Sequence, residues 1–175
     1  MSKPMVVLER LDVLWLQIAG TQCNLRCTHC FIGCGSEVKR HKMLSKEYIF
    51  DLLDEASDLG VKELYLTGGE PFLHPEIFEI IQMISDRFPV TILTNGTLIS
   101  KEASERAANI LRNSRNKLDF RVSLESYIEK ENDLLRGRGS FCKAKKGIMN
   151  LVASGFSPII TATRWCADER EKEFE

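Results

Sequence analysis

The sequence lacks long apolar runs. The two longest, residues 13–18 and 77–84, are far shorter than the ~20 residues that a helix needs to cross a bilayer. Residues 1–10 also lack the apolar core and the small-residue cleavage site of a secretory signal. We therefore expect a cytoplasmic protein with no membrane partner.

Neither sign of charge is in excess. The chain has 24 basic and 25 acidic side chains in 175 residues, a formal charge of -1. Nucleic-acid binding would favour an excess of clustered Lys and Arg, so no nucleic-acid partner is indicated. With 43% apolar and 28% charged residues, the composition is that of a folded globular protein. The length predicts a single domain, residues 1–175.

The cysteines are unevenly distributed. Four of the six lie within twelve residues, at Cys23, Cys27, Cys30 and Cys34. In the cytoplasm these side chains are expected to be thiols rather than disulfides. Such a cluster predicts a metal or iron–sulfur site. Cys142 and Cys166 stand alone, and we expect them to be buried thiols.

Short β-branched runs alternate with helical patterns along the chain. Strands are predicted at residues 13–19, 61–66, 90–94, 118–124 and 159–163, and helices are predicted to begin near Ser45, Pro75, Ser100 and Ser140. This alternation predicts an α/β sheet or barrel of about five parallel strands and four helices. We expect the charged residues 168–175 to form a frayed helix.

The fourth strand alternates strictly between apolar and polar residues. One face carries Asp119, Arg121, Ser123 and Glu125. Because the strand is fourth of five, this face is expected to line a polar barrel interior. A solvated edge strand is the alternative.

The first three clustered cysteines have the spacing C-x3-C-x2-C and directly follow the first strand. Functional sites of parallel α/β proteins lie at that end of the strands. Three thiolates on a [4Fe–4S] cluster leave one iron open to another ligand, whereas four close it. A closed cluster that also uses Cys34, and a structural zinc loop, are the alternatives.

These residues resemble the radical S-adenosylmethionine (SAM) superfamily, whose signature is C-x3-C-x-aromatic-C, with His29 at the aromatic position. Residues 68–71 match the Gly-Gly-Glu-Pro motif that this family carries after its second strand. The resemblance implies a partial, TIM-like (βα) barrel. It also implies a [4Fe–4S] cluster held by Cys23, Cys27 and Cys30, with SAM on the fourth iron.

The resemblance further implies a set of SAM contacts. His29 would pack beside the adenine, and Gly68 and Gly69 would let the backbone approach the methionine amino group. Glu70, followed by Pro71, would complement the SAM ammonium or brace the loop.

Two later residues complete the set of implied contacts. Ser123 would contact the ribose, and Arg136 would pair with the SAM carboxylate. For each, the alternative is an ordinary lumen or surface side chain.

The sequence departs from the family in its last part. The family core has six strands, so the domain at residues 1–175 reads as incomplete at its C-terminal end. The expected function is reductive cleavage of SAM to a 5'-deoxyadenosyl radical that abstracts hydrogen from an unknown substrate, a peptide or a small metabolite. An external electron donor is implied. The alternatives are a non-catalytic cluster-binding fragment that needs a partner chain to complete the barrel, and a zinc-binding interaction module.

Overall fold

Five parallel strands form one sheet in the computed structural model, which describes Met5 and residues 7–163. The strands are β1 (Val13–Gln17), β2 (Glu63–Thr67), β3 (Val90–Thr94), β4 (Leu118–Ser123) and β5 (Ile159–Thr161). The helices are α1 (Lys46–Asp58), α2 (Ile77–Ser85), α3 (Lys101–Asn113), α4 (Glu129–Arg136) and α5 (Ser140–Ala153), with a 3-10 turn at Pro71–Leu73. The predicted parallel α/β architecture is confirmed.

The strands lie side by side in the order in which they occur along the chain, β1-β2-β3-β4-β5. Right-handed crossovers between sequential neighbours place α1, α2, α3 and α5 on the same face of the sheet, where they pack against one another. A doubly wound sheet reverses its order at a switch point, and this one does not. The fold is therefore a partial (βα) barrel, and its sheet is not closed.

One hydrophobic core holds the helices against the sheet. Strands β1 to β4 send alternate side chains into it, among them Leu16, Leu64, Ile92 and Phe120, and α2 adds isoleucines such as Ile80. These five side chains are at most 5% exposed. Burying a side chain of this size stabilises the fold by about 1.5–3 kcal/mol.

Two helices begin where they were predicted to begin, next to Ser45 and Ser100. The Ser45 hydroxyl accepts a hydrogen bond from the Tyr48 amide at the start of α1, and Ser100 accepts one from Ala103 at the start of α3. Gly60, just after α1, has a φ of +74°, which glycine adopts without the strain that a Cβ would bring.

The prediction of four helices was wrong, because α4 was not predicted. Asn132 is its one buried residue, so the helix lacks the apolar stripe by which helices are recognised. Polar contacts hold it instead. The Asn132 side-chain oxygen accepts a hydrogen bond from the Glu125 amide, and the Asn132 side-chain nitrogen donates one to Ser140. The second predicted helix also starts later, at Ile77 rather than Pro75.

The polar face of β4 lies opposite the helices. β4 is bordered by β3 and β5, so the alternative of an edge strand is wrong. Leu118, Phe120 and Val122 are buried, while Arg121 and Ser123 on the other face are partly exposed.

No helix within residues 7–163 is long and apolar enough to cross a membrane. Cys166 and residues 168–175 lie outside the described residues.

Candidate cofactor site

The cysteine loop leaves the end of β1 and is fastened at its base by backbone contacts. The buried Thr21 hydroxyl donates toward the Val38 and His41 carbonyls, and the Thr21 carbonyl accepts the Gly35 amide. Gln22 forms an isolated parallel bridge with Gly35. The loop therefore has a defined conformation even though it contains no helix or strand.

The three motif thiols lie in this loop as free cysteines. Cys23 Sγ accepts hydrogen bonds from the Leu25 amide at 3.4 Å and from the Asn95 side chain at 3.7 Å. Cys30 Sγ accepts one from the Cys34 amide at 3.4 Å. Donors of this kind stabilise cluster-bound thiolates, so the donor set fits an iron–sulfur cluster.

Burial acts differently on the three thiols. It raises the pKa of Cys23 to about 11 and also raises the pKa of Cys27. At Cys30 burial acts in the same direction, but backbone N–H groups of the following residues outweigh it and lower the pKa. Cys30 is therefore the motif thiol with the lowest pKa.

Cys34 lies beside the motif, and its amide donates to Cys30 Sγ. Its side chain is buried, and burial together with the adjacent Cys30 raises the pKa of the Cys34 thiol to about 12. Cys142 was predicted to be buried, which was wrong. It lies exposed on α5, and its thiol donates a hydrogen bond to Glu129 at 3.5 Å.

No three Cys, His, Asp or Glu side chains within the described residues converge closely enough to hold a single metal ion. A zinc ion needs four ligands at about 2.0–2.3 Å from one centre. The thiols therefore do not form a preassembled zinc site.

The loop after β2 is joined to the base of the cysteine loop. The Gly69 amide donates to the Gly20 carbonyl and the Glu70 amide to the Gln22 carbonyl, both at 2.9 Å. A Cβ on Gly69 would lie 1.9 Å from the Gln22 carbonyl oxygen, so only glycine fits there. In the structure the two glycines lie against the chain's own backbone. The approach of a cofactor to them stays a prediction.

Glu70 holds this loop to the end of β3. It is fully buried, and its carboxylate accepts hydrogen bonds from Thr94 Oγ1 at 2.7 Å, the Asn95 amide at 2.8 Å and the Phe72 amide at 3.1 Å. Burial raises the pKa of Glu70 in spite of these donors. Of the two predicted roles, the structure shows the bracing one. Pro71, also buried, begins the 3-10 turn.

His29 and Arg136 meet at a buried carboxylate, Glu125. His29 Nε2 lies 3.0 Å from Glu125 Oε1, and Arg136 donates to the same oxygen from Nε at 3.1 Å and Nη2 at 2.5 Å. The Thr163 amide donates to Oε2 at 2.6 Å. This cluster ties the cysteine loop to α4 and to the segment after β5.

The electrostatics of this cluster favour an ionised glutamate. Burial alone would raise the pKa of Glu125, but the Thr163 amide, the Arg136 guanidinium and His29 together lower it. His29 Nδ1 is buried and has no hydrogen-bond partner among the described residues. One nitrogen of His29 is therefore fixed by Glu125, while the other is left without a hydrogen bond.

The remaining predicted contact, Ser123, ends β4 and is paired in register with Thr161 of β5. It lies on the same side of the sheet as Arg121, at the strand ends that carry the other site residues. Sequence reasoning did not single out Glu125 or Asn95 as site residues. Glu125 could have been recognised by its place on the polar face of β4, and Asn95 by its place in the turn after β3.

The fold and the site define a class: partial (βα) barrels with a three-cysteine loop after the first strand and a glycine loop joined to it after the second. Residues 18–173 match the family described as the Radical SAM superfamily. The chain belongs to this superfamily, whose enzymes use a [4Fe–4S] cluster and SAM.

Named relatives and solved structures agree with this membership. The antilisterial bacteriocin subtilosin biosynthesis protein AlbA of Bacillus subtilis (strain 168) is 36% identical over 136 residues, covering 77% of this chain and 29% of that protein. Mycofactocin maturase MftC of Mycobacterium tuberculosis (strain CDC 1551 / Oshkosh) is 31% identical over 138 residues, covering 78% and 34%. The chain spans about a third of the length of these relatives.

The crystal structure of Streptococcus suis SuiB bound to S-adenosylmethionine shares the fold. It superposes with a TM-score of 0.77 over 96% of this chain and 37% of that chain, at 22% sequence identity.

Proposed function

We propose that residues 1–175 form a radical SAM core domain that binds a [4Fe–4S] cluster through Cys23, Cys27 and Cys30. One observation carries this proposal: the three-thiol loop is hydrogen-bonded to the Gly68–Pro71 motif at the strand ends. When bound, the cluster and SAM supply a 5'-deoxyadenosyl radical that abstracts hydrogen from the substrate.

The residues of the chain hold and shield this chemistry. Amides and the Asn95 side chain donate to the Cys23 and Cys30 sulfurs, which stabilises their thiolate forms. Glu70 fixes the loop against which SAM is proposed to bind. His29, whose ring is oriented by Glu125, is proposed to contact the adenine with its free edge, and Ser123 to contact the ribose.

Arg136 is proposed to approach the SAM carboxylate while it stays paired with Glu125. Its Nε and one terminal nitrogen are engaged by Glu125, which leaves the other terminal nitrogen to donate to a second carboxylate. The side chain is 11% exposed, so its position is set before SAM binds.

For the substrate we propose a peptide. Support comes from AlbA, named for bacteriocin biosynthesis, and from SuiB, which has also been crystallised with its precursor peptide SuiA. We further propose an external one-electron donor and a cytoplasmic location, where thiols stay reduced. A partner strand is proposed to cover the outer edge of β5, because within the described residues β5 pairs only with β4.

The test is SAM cleavage by the anaerobically reconstituted chain with dithionite, measured as 5'-deoxyadenosine. We expect product from the wild type and from Cys34→Ala, and none from Cys27→Ala. Cluster-loaded protein that binds SAM without cleaving it would support the alternative of a non-catalytic cluster-binding fragment. One zinc per chain with no iron would support the zinc module.

A further inference from the structure

The outer side of the cysteine loop is basic, although the chain as a whole is not. Residues 24–46 contain five basic side chains and one acidic one, while the whole chain has 24 and 25. Lys46 is neutralised by Glu76, which lies 2.5 Å away. Glu37 is the single acidic side chain in the segment. The four other cations are exposed: Arg26, Lys39, Arg40 and Lys42.

These cations are held against the cysteines by the fold. The Arg40 guanidinium donates to the Ile32 carbonyl at 3.1 Å and reaches over Gly33, between Cys30 and Cys34. The Arg26 side chain lies over Gly35. The hydrogen bonds of Thr21 to the Val38 and His41 carbonyls fix the segment that carries Lys39 and Lys42.

An exposed aromatic ring lies within this basic surface. Phe31 directly follows the ligand Cys30 and is 96% exposed, more than any other large apolar side chain among the described residues. An apolar centre with a charged rim is the usual anatomy of a protein–protein contact.

We propose that Phe31 and the four cations Arg26, Lys39, Arg40 and Lys42, together called the basic loop surface, form the docking site of an acidic one-electron carrier protein. This inference rests on the proposed function, because it requires a cluster at Cys30. One electron leaves the reduced flavin or iron–sulfur group of the carrier and enters the cluster. No bond forms or breaks and no proton moves.

Position favours an electron carrier over a substrate as the occupant. A substrate must reach SAM at the strand ends, where His29 meets Glu125. Phe31 instead points into solvent beside a cluster ligand, which gives an electron a short path. Charge attraction of this kind raises association rates by about 10 to 1,000-fold at low ionic strength and suits a small contact that releases quickly.

The first experiment measures docking alone and needs no cluster. The chain is titrated with a fluorescently labelled acidic flavodoxin at low and high salt. Lys39→Glu/Lys42→Glu should weaken binding at low salt by about tenfold or more. The matched control Lys62→Glu/Lys117→Glu reverses two exposed lysines that precede β2 and β4, at the opposite end of the strands, and should bind within about twofold of the wild type.

The second experiment measures electron entry in the reconstituted protein by stopped flow. Reduction of the cluster by reduced flavodoxin should slow by about tenfold or more in the Lys39/Lys42 variant, and also in Phe31→Ser. Reduction by dithionite should be equally fast in all variants.

Equal behaviour of the two charge-reversal variants in either experiment would overturn the docking surface. The proposal would also be overturned if an acidic peptide or an oligonucleotide bound as tightly as flavodoxin and with the same salt dependence. Binding of that kind would be unselective charge attraction. Failure of the cluster to assemble would refute the proposed function, while the titration would still decide whether the surface docks a carrier.

Discussion

The Glu125 cluster provides the sharpest test of the packing around the site. The Glu125 side chain is 1% exposed and that of Arg136 is 11% exposed. Glu125→Gln keeps the shape but removes the charge, and leaves the guanidinium without its counterion. Removing one partner of a buried pair costs about 3–5 kcal/mol. Because Arg136 retains some contact with water, we expect a loss of about 2–4 kcal/mol in the free energy of unfolding.

A double-mutant cycle isolates the pair itself. Arg136→Met removes the guanidinium but leaves Glu125 its contacts with His29 and Thr163. In the double variant neither charge remains, so its loss should be smaller than the sum of the single losses by about 1 kcal/mol or more. The measurement is urea unfolding followed by circular dichroism.

The matched control is Glu63→Gln. Glu63 is half-buried at the start of β2, where it accepts a hydrogen bond from the Thr91 hydroxyl at 3.0 Å but has no ion pair among the described residues. We expect it to lose about 1 kcal/mol or less. A Glu125→Gln loss no larger than this, or a strictly additive double variant, would refute the reasoning.

The pH dependence has a defined sign. Because the pKa of Glu125 is lowered in the folded protein, its ionisation stabilises the fold fully above the ordinary pKa of about 4.3. This contribution is lost as the pH falls through the lower, folded value. The difference in stability between the wild type and Glu125→Gln should therefore shrink as the pH falls below about 4.

Three further predictions concern the loops and the sheet edge. Alanine at Cys23, Cys27 or Cys30 should abolish iron loading after anaerobic reconstitution. Alanine at Cys34, Cys142 or Cys166 should leave iron loading unchanged, and loss of iron in Cys34→Ala would contradict an open site. Gly69→Val should abolish SAM binding by calorimetry, because its Cβ meets the Gln22 backbone, whereas Gly35→Ala, with a contact of 3.4 Å, should bind normally. The wild-type chain should self-associate through β5, whose Ile159 and Ile160 are exposed, and Ile160→Lys should reduce this self-association in sedimentation. A wild type that stays monomeric would refute the argument that the outer edge of β5 pairs with another chain.

The sequence predicted the parts of this fold that depend on local patterns. The period of the apolar residues located the five strands, and the starts of α1 and α3 were predicted next to Ser45 and Ser100. By contrast α4, which has no apolar stripe, is held by contacts to residues distant in sequence, such as the Glu125 amide. A pattern-based prediction has no access to such contacts.

The candidate site divides in the same way. The cysteine and glycine motifs could be located because their spacing is itself the signal. The close packing of Gly69 against the Gln22 backbone, which leaves no room for a Cβ, could not be predicted because Gln22 lies 47 positions earlier in the chain. The meeting of His29, Glu125 and Arg136 likewise joins three segments that only the fold brings together.

The measurement that tests the central claim most directly is the electron paramagnetic resonance spectrum of the reconstituted, dithionite-reduced chain before and after addition of SAM. If three thiolates leave one iron open, SAM binds to that iron and changes the spectrum, in the wild type and equally in Cys34→Ala. A [4Fe–4S] spectrum that saturating SAM leaves unchanged would contradict an open site.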